Sequence, residues 1–255
     1  MFTKYLHRDI IYGPVRSRRL GLSLGVNVWP KSHKVCSFDC IYCECGAYRA
    51  SRGDDPRLLG GFVSPRQVAD ALQHAFDSGL TCEHITFSGN GEATLHPQFG
   101  DIVEAIRDVR DTMAPEVAIT LLSNSTRVHD PAVRAAIERV DLPIMKLDAG
   151  EETLFRKLNH PAADVHFTDI IAGLKMLRRF HMQTMILDGD ISNCGDAEVA
   201  AWIRQVGYLK PESVQLYTLD RPAPYKGIHK VGKERMQEIA RQCERETGVQ
   251  VDVFA

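Results

Sequence analysis

The chain has 255 residues, 44% hydrophobic and 25% charged, with a formal net charge of -2. That size suits one domain able to bury a core without disulfide staples. The charge balance exerts no global pull toward nucleic acid or anionic membrane. The N-terminal "MFTKYLHRDI" has no apolar h-region, and no stretch reaches the roughly 20 apolar residues of a membrane span. A cytoplasmic, reducing location is therefore expected.

In chain order, residues 1–22 read as an N-terminal arm and "SLGVNVWP" (23–30) as the first strand. "SPRQVADALQHAFDSG" (64–79) reads as a helix with Ser64 as cap, Pro65 in its first turn and Gly79 as stop. Then come a strand "HITFSG", a helix "QFGDIVEAIRDVRDTM", a strand "EVAITLLSN" and a helix "DPAVRAAIERV" capped by Asp130. The strand "LPIMKLDAG" precedes two helices, "EETLFRKLN" and "FTDIIAGLKMLRRF". "QTMILDGD", "SVQLYTLD" and "VQVDVF" are strands separated by the helices "DAEVAAWIRQVGYL" and "GKERMQEIARQCERETG". The strand runs look apolar and nearly continuous, as expected under covering helices. Strands alternating with helices predict α/β, a parallel sheet curled into a partial (β/α)6 TIM-like barrel, with a doubly wound open sheet as the alternative. The whole of 1–255 is expected to be a single domain. Active sites in such folds gather at the C-terminal strand ends, so the residues just after each strand form the candidate list.

The densest chemistry is "KVCSFDCIYCECG" (34–46), with four of the seven cysteines inside ten residues. In a reducing compartment clustered thiols more often bind metal than pair. The spacing is Cys36-x3-Cys40-x2-Cys43, with Cys45 two residues on. A structural zinc site commonly takes two separated ligand pairs, and no second pair is present. Three thiolates suit a [4Fe–4S] cluster with one iron left open. This spacing, with Tyr42 before the last cysteine, resembles the signature of radical S-adenosylmethionine (radical SAM) enzymes. The resemblance implies that Cys36, Cys40 and Cys43 hold three irons of a [4Fe–4S] cluster and that S-adenosylmethionine chelates the fourth. The reduced cluster would then cleave the sulfonium to a 5′-deoxyadenosyl radical. Cys45 receives no ligand role and reads as a packing or tuning cysteine. Cys82, Cys194 and Cys243 are scattered.

"FSGNGEATLHP" (87–97) resembles the superfamily's glycine-rich element, here Gly89, Asn90, Gly91 and Glu92, which would meet the amino group of the cosubstrate. Glycines allow close backbone approach, and carbonyls with a carboxylate accept from an ammonium. "LLSNST" offers Ser123, Asn124 and Ser125 to ribose or methionine carboxylate, or to an ordinary turn. "MKLDAG" places Lys146 and Asp148 near the barrel mouth, pairing with each other or holding cosubstrate. "LDGDISN", with Asp188, Asp190 and Asn193, is the least specific. "YTLDRPAP" puts Arg221 at a strand end, gripping a carboxylate or phosphate or pairing with Asp220. Arg16, Arg18 and Arg19 form a local basic run that reads as a solvated charge run or as part of the site.

"GPVRSRRLGLSLG", "SGNGEATLHP", "KLDAGEETLFRKLN" and "QLYTLDRPAP" together resemble radical SAM iron–sulfur oxidoreductases related to the enzymes of wyosine tRNA-base synthesis. Those enzymes carry a second cluster on upstream cysteines, and no cysteine precedes Cys36 here. The expected function is therefore a radical SAM enzyme abstracting hydrogen from an unidentified, anionic substrate, with Arg18, Arg19 and Arg221 as its binding residues. The alternatives are a wyosine-type tRNA-base modifying enzyme, a peptide- or natural-product-modifying enzyme, an electron-transfer iron–sulfur protein, or a zinc-binding protein. An electron donor such as flavodoxin or ferredoxin is the implied partner.

Overall fold

The computed structural model describes residues 6–29, 33–46 and 62–255. Its main sheet has eight strands. They are β1 (Ile11–Ser17), β2 (Gly21–Val26), β3 (His84–Phe87), β4 (Ala118–Ser123), β5 (Leu142–Lys146), β6 (His181–Met185), β8 (Ser213–Tyr217) and β10 (Gln250–Phe254), lying side by side in that order. Every pair is parallel except β1 with β2. The helices are α1 (Pro65–Asp77), α2 (Phe99–Met113), α3 (Pro131–Ile137), α4 (Glu152–Asn159), α5 (Phe167–Lys175), α6 (Asp196–Leu209) and α7 (Lys233–Thr247). They supply six crossovers between seven parallel strands, the curled half-barrel expected from strand–helix alternation. A two-stranded antiparallel ribbon, β7 (Leu187–Gly189) with β9 (Ile228–Lys230), sits beside it.

Two expectations need correction. The N-terminal arm is not a bare extension: its described part contains β1, which pairs antiparallel with β2 and extends the sheet edge. The first parallel strand accordingly begins at Gly21 and ends at Val26; residues 1–5 and Pro30 lie outside the described residues. The strands are also not apolar on both faces. Leu24, Ile85, Phe87, Ile119, Leu121, Met145, Met182, Val214 and Leu216 are at most 1% exposed on one face. Each such side chain contributes about 1.5–3 kcal/mol by its burial. The alternate positions Ser23, Thr86, Thr120, Lys146, Gln183 and Gln215 fall on the other face, since successive strand residues point to opposite sides. That concave lining is polar, and its members bond to one another, as Ser23 Oγ does to Thr86 Oγ1 at 2.7 Å.

Local signals set the helix starts. Ser64 Oγ accepts from Gln67 N at 3.2 Å, and Gln67 Oε1 accepts from Ser64 N at 2.9 Å. This reciprocal cap satisfies two otherwise orphaned amides. Asp130 accepts from Ala132 N at 2.9 Å ahead of Pro131. Among the described residues no helix is long and apolar enough to cross a membrane.

Candidate active site

The cysteine segment forms no helix or strand of its own; its neighbours hold it. On one side it forms a parallel bridge to the loop after β3. Val35 N donates to the Asn90 carbonyl at 2.8 Å, and Glu92 N donates to the Val35 carbonyl at 2.9 Å. On the other side Asp39 N donates to the Asn159 carbonyl at 2.9 Å and Ile41 N to the Leu158 carbonyl at 3.0 Å, at the end of α4. Phe38 anchors the segment edge-to-face on Phe155, with ring centroids 5.4 Å apart. The cysteines thus lie over the C-terminal ends of β3, β4 and β5, where the strand–helix pattern places a site.

Gly91 explains the tightness of this bridge. Its φ is +137°, and a Cβ built there would stand 1.7 Å from the Val35 carbonyl oxygen. Only glycine lets the two backbones approach so closely. The neighbouring polar side chains are engaged by the protein itself. Asn90 is fully buried; its Nδ2 donates to the His7 carbonyl at 2.6 Å and the Trp29 carbonyl at 2.9 Å. Glu92 is 2% exposed and accepts from Thr94 N, Thr94 Oγ1, Ser123 Oγ and Asn124 N at 2.6–3.1 Å. Burial raises its pKa, and these four donors work against that rise. Asn193 is similarly structural, bridging the carbonyls of Asp148 and Met185 at 2.8 Å each.

Around the thiols the surroundings are polar in a particular way. Phe38 N and Asn124 Nδ2 each donate to Cys36 Sγ at 3.4 Å, and Asn159 Nδ2 donates to Cys40 Sγ at 3.4 Å. Cys45 Sγ donates to the Gly89 carbonyl at 3.4 Å. Burial pushes Cys36 up to about 12 and Cys40 up to about 11. Cys43 moves the other way, mainly through its coupling to the neighbouring Cys45 sulfur, and Cys45 is correspondingly raised. Two lysines face the group, Lys34 buried and Lys146 partly buried. Lys34 pairs with Asp39 at 2.7 Å with its side chain 2% exposed. Burial opposes its charge, but the Cys43 and Cys36 thiolates and Asp39 outweigh burial and hold its pKa up. Lys146 donates to Tyr42 Oη at 2.6 Å, to Asp148 Oδ2 at 3.3 Å and to Tyr217 Oη at 3.4 Å. Tyr42 donates to Asp148 Oδ2, which also accepts from Asn159 Nδ2 at 2.8 Å, while Oδ1 accepts from Met185 N at 3.0 Å.

This donor set fits an iron–sulfur cluster. Thiolates carry the ligation, N–H···S hydrogen bonds tune the sulfurs, and buried ammonium groups offset accumulated negative charge. Among the described residues no three His, Cys, Asp or Glu side chains are close enough to share one metal ion.

The three candidate arginines separate. Arg18 pairs with Asp220 at 3.5 Å on the surface. Arg221 pairs not with Asp220 but with Glu44, between Cys43 and Cys45, at 2.6 Å. Arg19 turns inward across the open seam, and its Nη1 donates to Gln183 Oε1 at 2.8 Å and Gln215 Oε1 at 3.3 Å. Lys34, Asn159, Tyr217, Gln183 and Gln215 were not on the candidate list. Gln183, inside "HMQTM", and Gln215, inside "SVQLY", carried a usable signal: a polar residue in an apolar strand. Asn159 had none, because it ends a helix and meets Cys40 only through the fold.

A family model described as the radical SAM superfamily matches residues 31–189. A GTPase Obg of Brachyspira hyodysenteriae is 28% identical over 248 residues, 95% of this chain and 35% of that protein. A UPF0026 protein of Methanocaldococcus jannaschii is 30% identical over 224 residues, 86% of this chain and 66% of that one. The chain thus spans about a third of the first relative and about two-thirds of the second. Among solved structures, that of TYW1 with a lysine–pyruvate adduct bound superposes with a TM-score of 0.65 at 13% identity, covering 89% of this chain and 75% of that one. At that identity the likeness is one of fold.

Proposed function

Because the chain belongs to the radical SAM superfamily, enzymes that work with a [4Fe–4S] cluster and S-adenosylmethionine, we propose that it reductively cleaves S-adenosylmethionine and that the resulting 5′-deoxyadenosyl radical takes hydrogen from a substrate. Cys36, Cys40 and Cys43 would hold the cluster. The observation that carries this reading is the loop itself: three thiols held over the strand ends, with Asn124 and Asn159 donating to two of the sulfurs.

The chain's own residues then have distinct tasks. Lys34 and Lys146 supply positive charge beside the cysteine sulfurs. Asn124 and Asn159 orient and tune Cys36 and Cys40. Gly89, Asn90, Gly91 and Glu92 form the edge that would meet the cosubstrate's amino group through backbone carbonyls, since the Asn90 and Glu92 side chains already hold the loop together. Ser123 and Asn124 brace that edge from β4. Tyr42, Lys146 and Asp148 form a hydrogen-bonded unit beside Cys43 that would flank the cosubstrate. An external one-electron donor such as a flavodoxin or ferredoxin would supply the electron. A wyosine-type tRNA base remains the second reading, favoured by the sequence motifs shared with that branch; the slightly acidic chain offers it no overall basic balance.

Anaerobic reconstitution with iron and sulfide, followed by dithionite and S-adenosylmethionine, tests the proposal. It expects 5′-deoxyadenosine and methionine from the wild type and none from Cys40→Ala. Absence of 5′-deoxyadenosine from reconstituted wild-type protein would sink it.

A further inference from the structure

Arg19 is the one member of the arginine trio that meets no carboxylate among the described residues. Its two side-chain acceptors are neutral amides, Gln183 and Gln215, which are 5% and 8% exposed. Its guanidinium carbon lies 4.5 Å from the centroid of the Tyr217 ring. The remaining N–H groups, on Nε and Nη2, donate to nothing among the described residues. Arg18 and Arg221, by contrast, are each offset by an acid on the surface.

The location adds direction. Gln183 and Gln215 are partners across β6 and β8 and lie on the concave, polar face of the sheet. Arg19 enters that space from the β1–β2 turn. From it a chain of contacts leads back to the cysteine segment: Tyr217, then Lys146, then Tyr42, the residue before Cys43. Lys146 cannot serve the same end, because Asp148 offsets its charge. A full positive charge, held in place by neutral acceptors on the inner wall below the thiols, is therefore available to a ligand.

We propose that Arg19 is the anion-anchoring residue of the substrate site, and that the substrate is a low-molecular-weight compound bearing a carboxylate or phosphate. The inference rests on the radical SAM reading and narrows it. A guanidinium with its fork free binds either oxyanion bidentately, with the geometry that suits both groups. Gln183 and Gln215 hold the fork so that binding does not first have to order it. Arg18 and Arg221 have no part in this anchor; their ion pairs fasten the turn and the cysteine loop to the loop after β8.

The test uses the reconstituted protein at fixed ionic strength and two probes, inorganic phosphate followed by 31P line width and acetate followed by saturation-transfer NMR. Wild type should bind one or both with a dissociation constant of about 1–10 mM, the strength of an isolated charged contact. Which probe binds distinguishes a phosphate-bearing from a carboxylate-bearing substrate. Arg19→Gln should lose about tenfold or more, Arg19→Lys should keep part of the affinity, and Arg221→Gln should be unchanged. Iron content and thermal midpoint, measured alongside, identify any variant that fails to fold; Arg19→Lys then carries the comparison, because a weakened but retained affinity still requires a cation at position 19. Equal binding by Arg19→Gln and wild type would overturn the proposal. So would absence of binding of both probes to wild type. Cleavage of S-adenosylmethionine without substrate is scored separately. Its failure in wild type would refute the radical SAM reading, whereas the probe-binding comparison between wild type and the Arg19 variants decides the anchor.

Discussion

Replacing Gly91 with alanine puts a methyl carbon where the cysteine loop's backbone already stands. The new Cβ would be 1.7 Å from the Val35 carbonyl oxygen and 2.4 Å from its carbon, at a φ of +137°. No flexible side chain can give way there, so the bridge must open. Two backbone hydrogen bonds join Val35 to this segment, at 2.8 and 2.9 Å. At about 1 kcal/mol each, with about 1–3 kcal/mol of backbone strain in whatever remains, the cost is about 3–5 kcal/mol. For a chain of this size that corresponds to a fall of about 10 °C in thermal midpoint if unfolding is cooperative. The loop that opens also carries Cys36, so the variant should take up clearly less iron than wild type on anaerobic reconstitution. Gly79→Ala is the control, since a Cβ there meets nothing within 4 Å although its φ is also positive. It should keep its iron and lose only about 1 kcal/mol. Full iron loading of Gly91→Ala with an unchanged midpoint would refute the close-approach argument and return Gly91 to a purely cosubstrate-facing role.

Alanine at Cys36, Cys40 or Cys43 should each abolish the cluster, whereas Cys45→Ala should retain about four irons per chain, as three-thiolate ligation requires; iron and sulfide analysis decides. Asn159→Ala should make the cluster harder to reduce, because it removes an N–H donor from Cys40 Sγ. An EPR-monitored redox titration should show a negative shift on the order of 59 mV, a tenfold change in a one-electron equilibrium. Lys146→Met should cost about 3–5 kcal/mol, read as a lower denaturant midpoint, because it leaves the buried Asp148 carboxylate without its cation. Burial alone would raise the pKa of Asp141, but hydrogen bonds from Ile119 N and Arg110 outweigh it and hold the group below the ordinary carboxylate value. A depressed folded-state pKa stabilises above the unfolded value near 3.9 and is lost as pH falls through the folded value. Asp141→Asn should therefore be less stable than wild type by about 1 kcal/mol at neutral pH, a small figure because the group is partly exposed, with the difference fading below about pH 4.

The sequence by itself determined the alternation of strands and helices along most of the chain and the spacing of the clustered cysteines. Helix α6 falls on its expected residues, Asp196–Leu209, and α1 and α3 start at the expected caps Ser64 and Asp130, because capping and periodicity are local properties read within a few residues. The cysteine spacing is equally local. What only the tertiary structure decided were relations across long separations. Strand β1 was hidden in the arm because "IYGPVRS" holds a glycine and a proline, and its pairing with β2 rather than its own pattern makes it a strand. The polar lining escaped notice because a half-barrel has an inner face that needs no helix, and single residues such as Gln183 reveal it only once β6 and β8 are aligned. Glu92 read as a ligand for an ammonium, yet Ser123 and Asn124, some thirty positions away, hold it. Arg18, Arg19 and Arg221 looked alike in sequence, and their partners Asp220, Gln183 and Glu44 separate them. An unpartnered charge is a property of what the rest of the chain brings near it, and no local pattern encodes that.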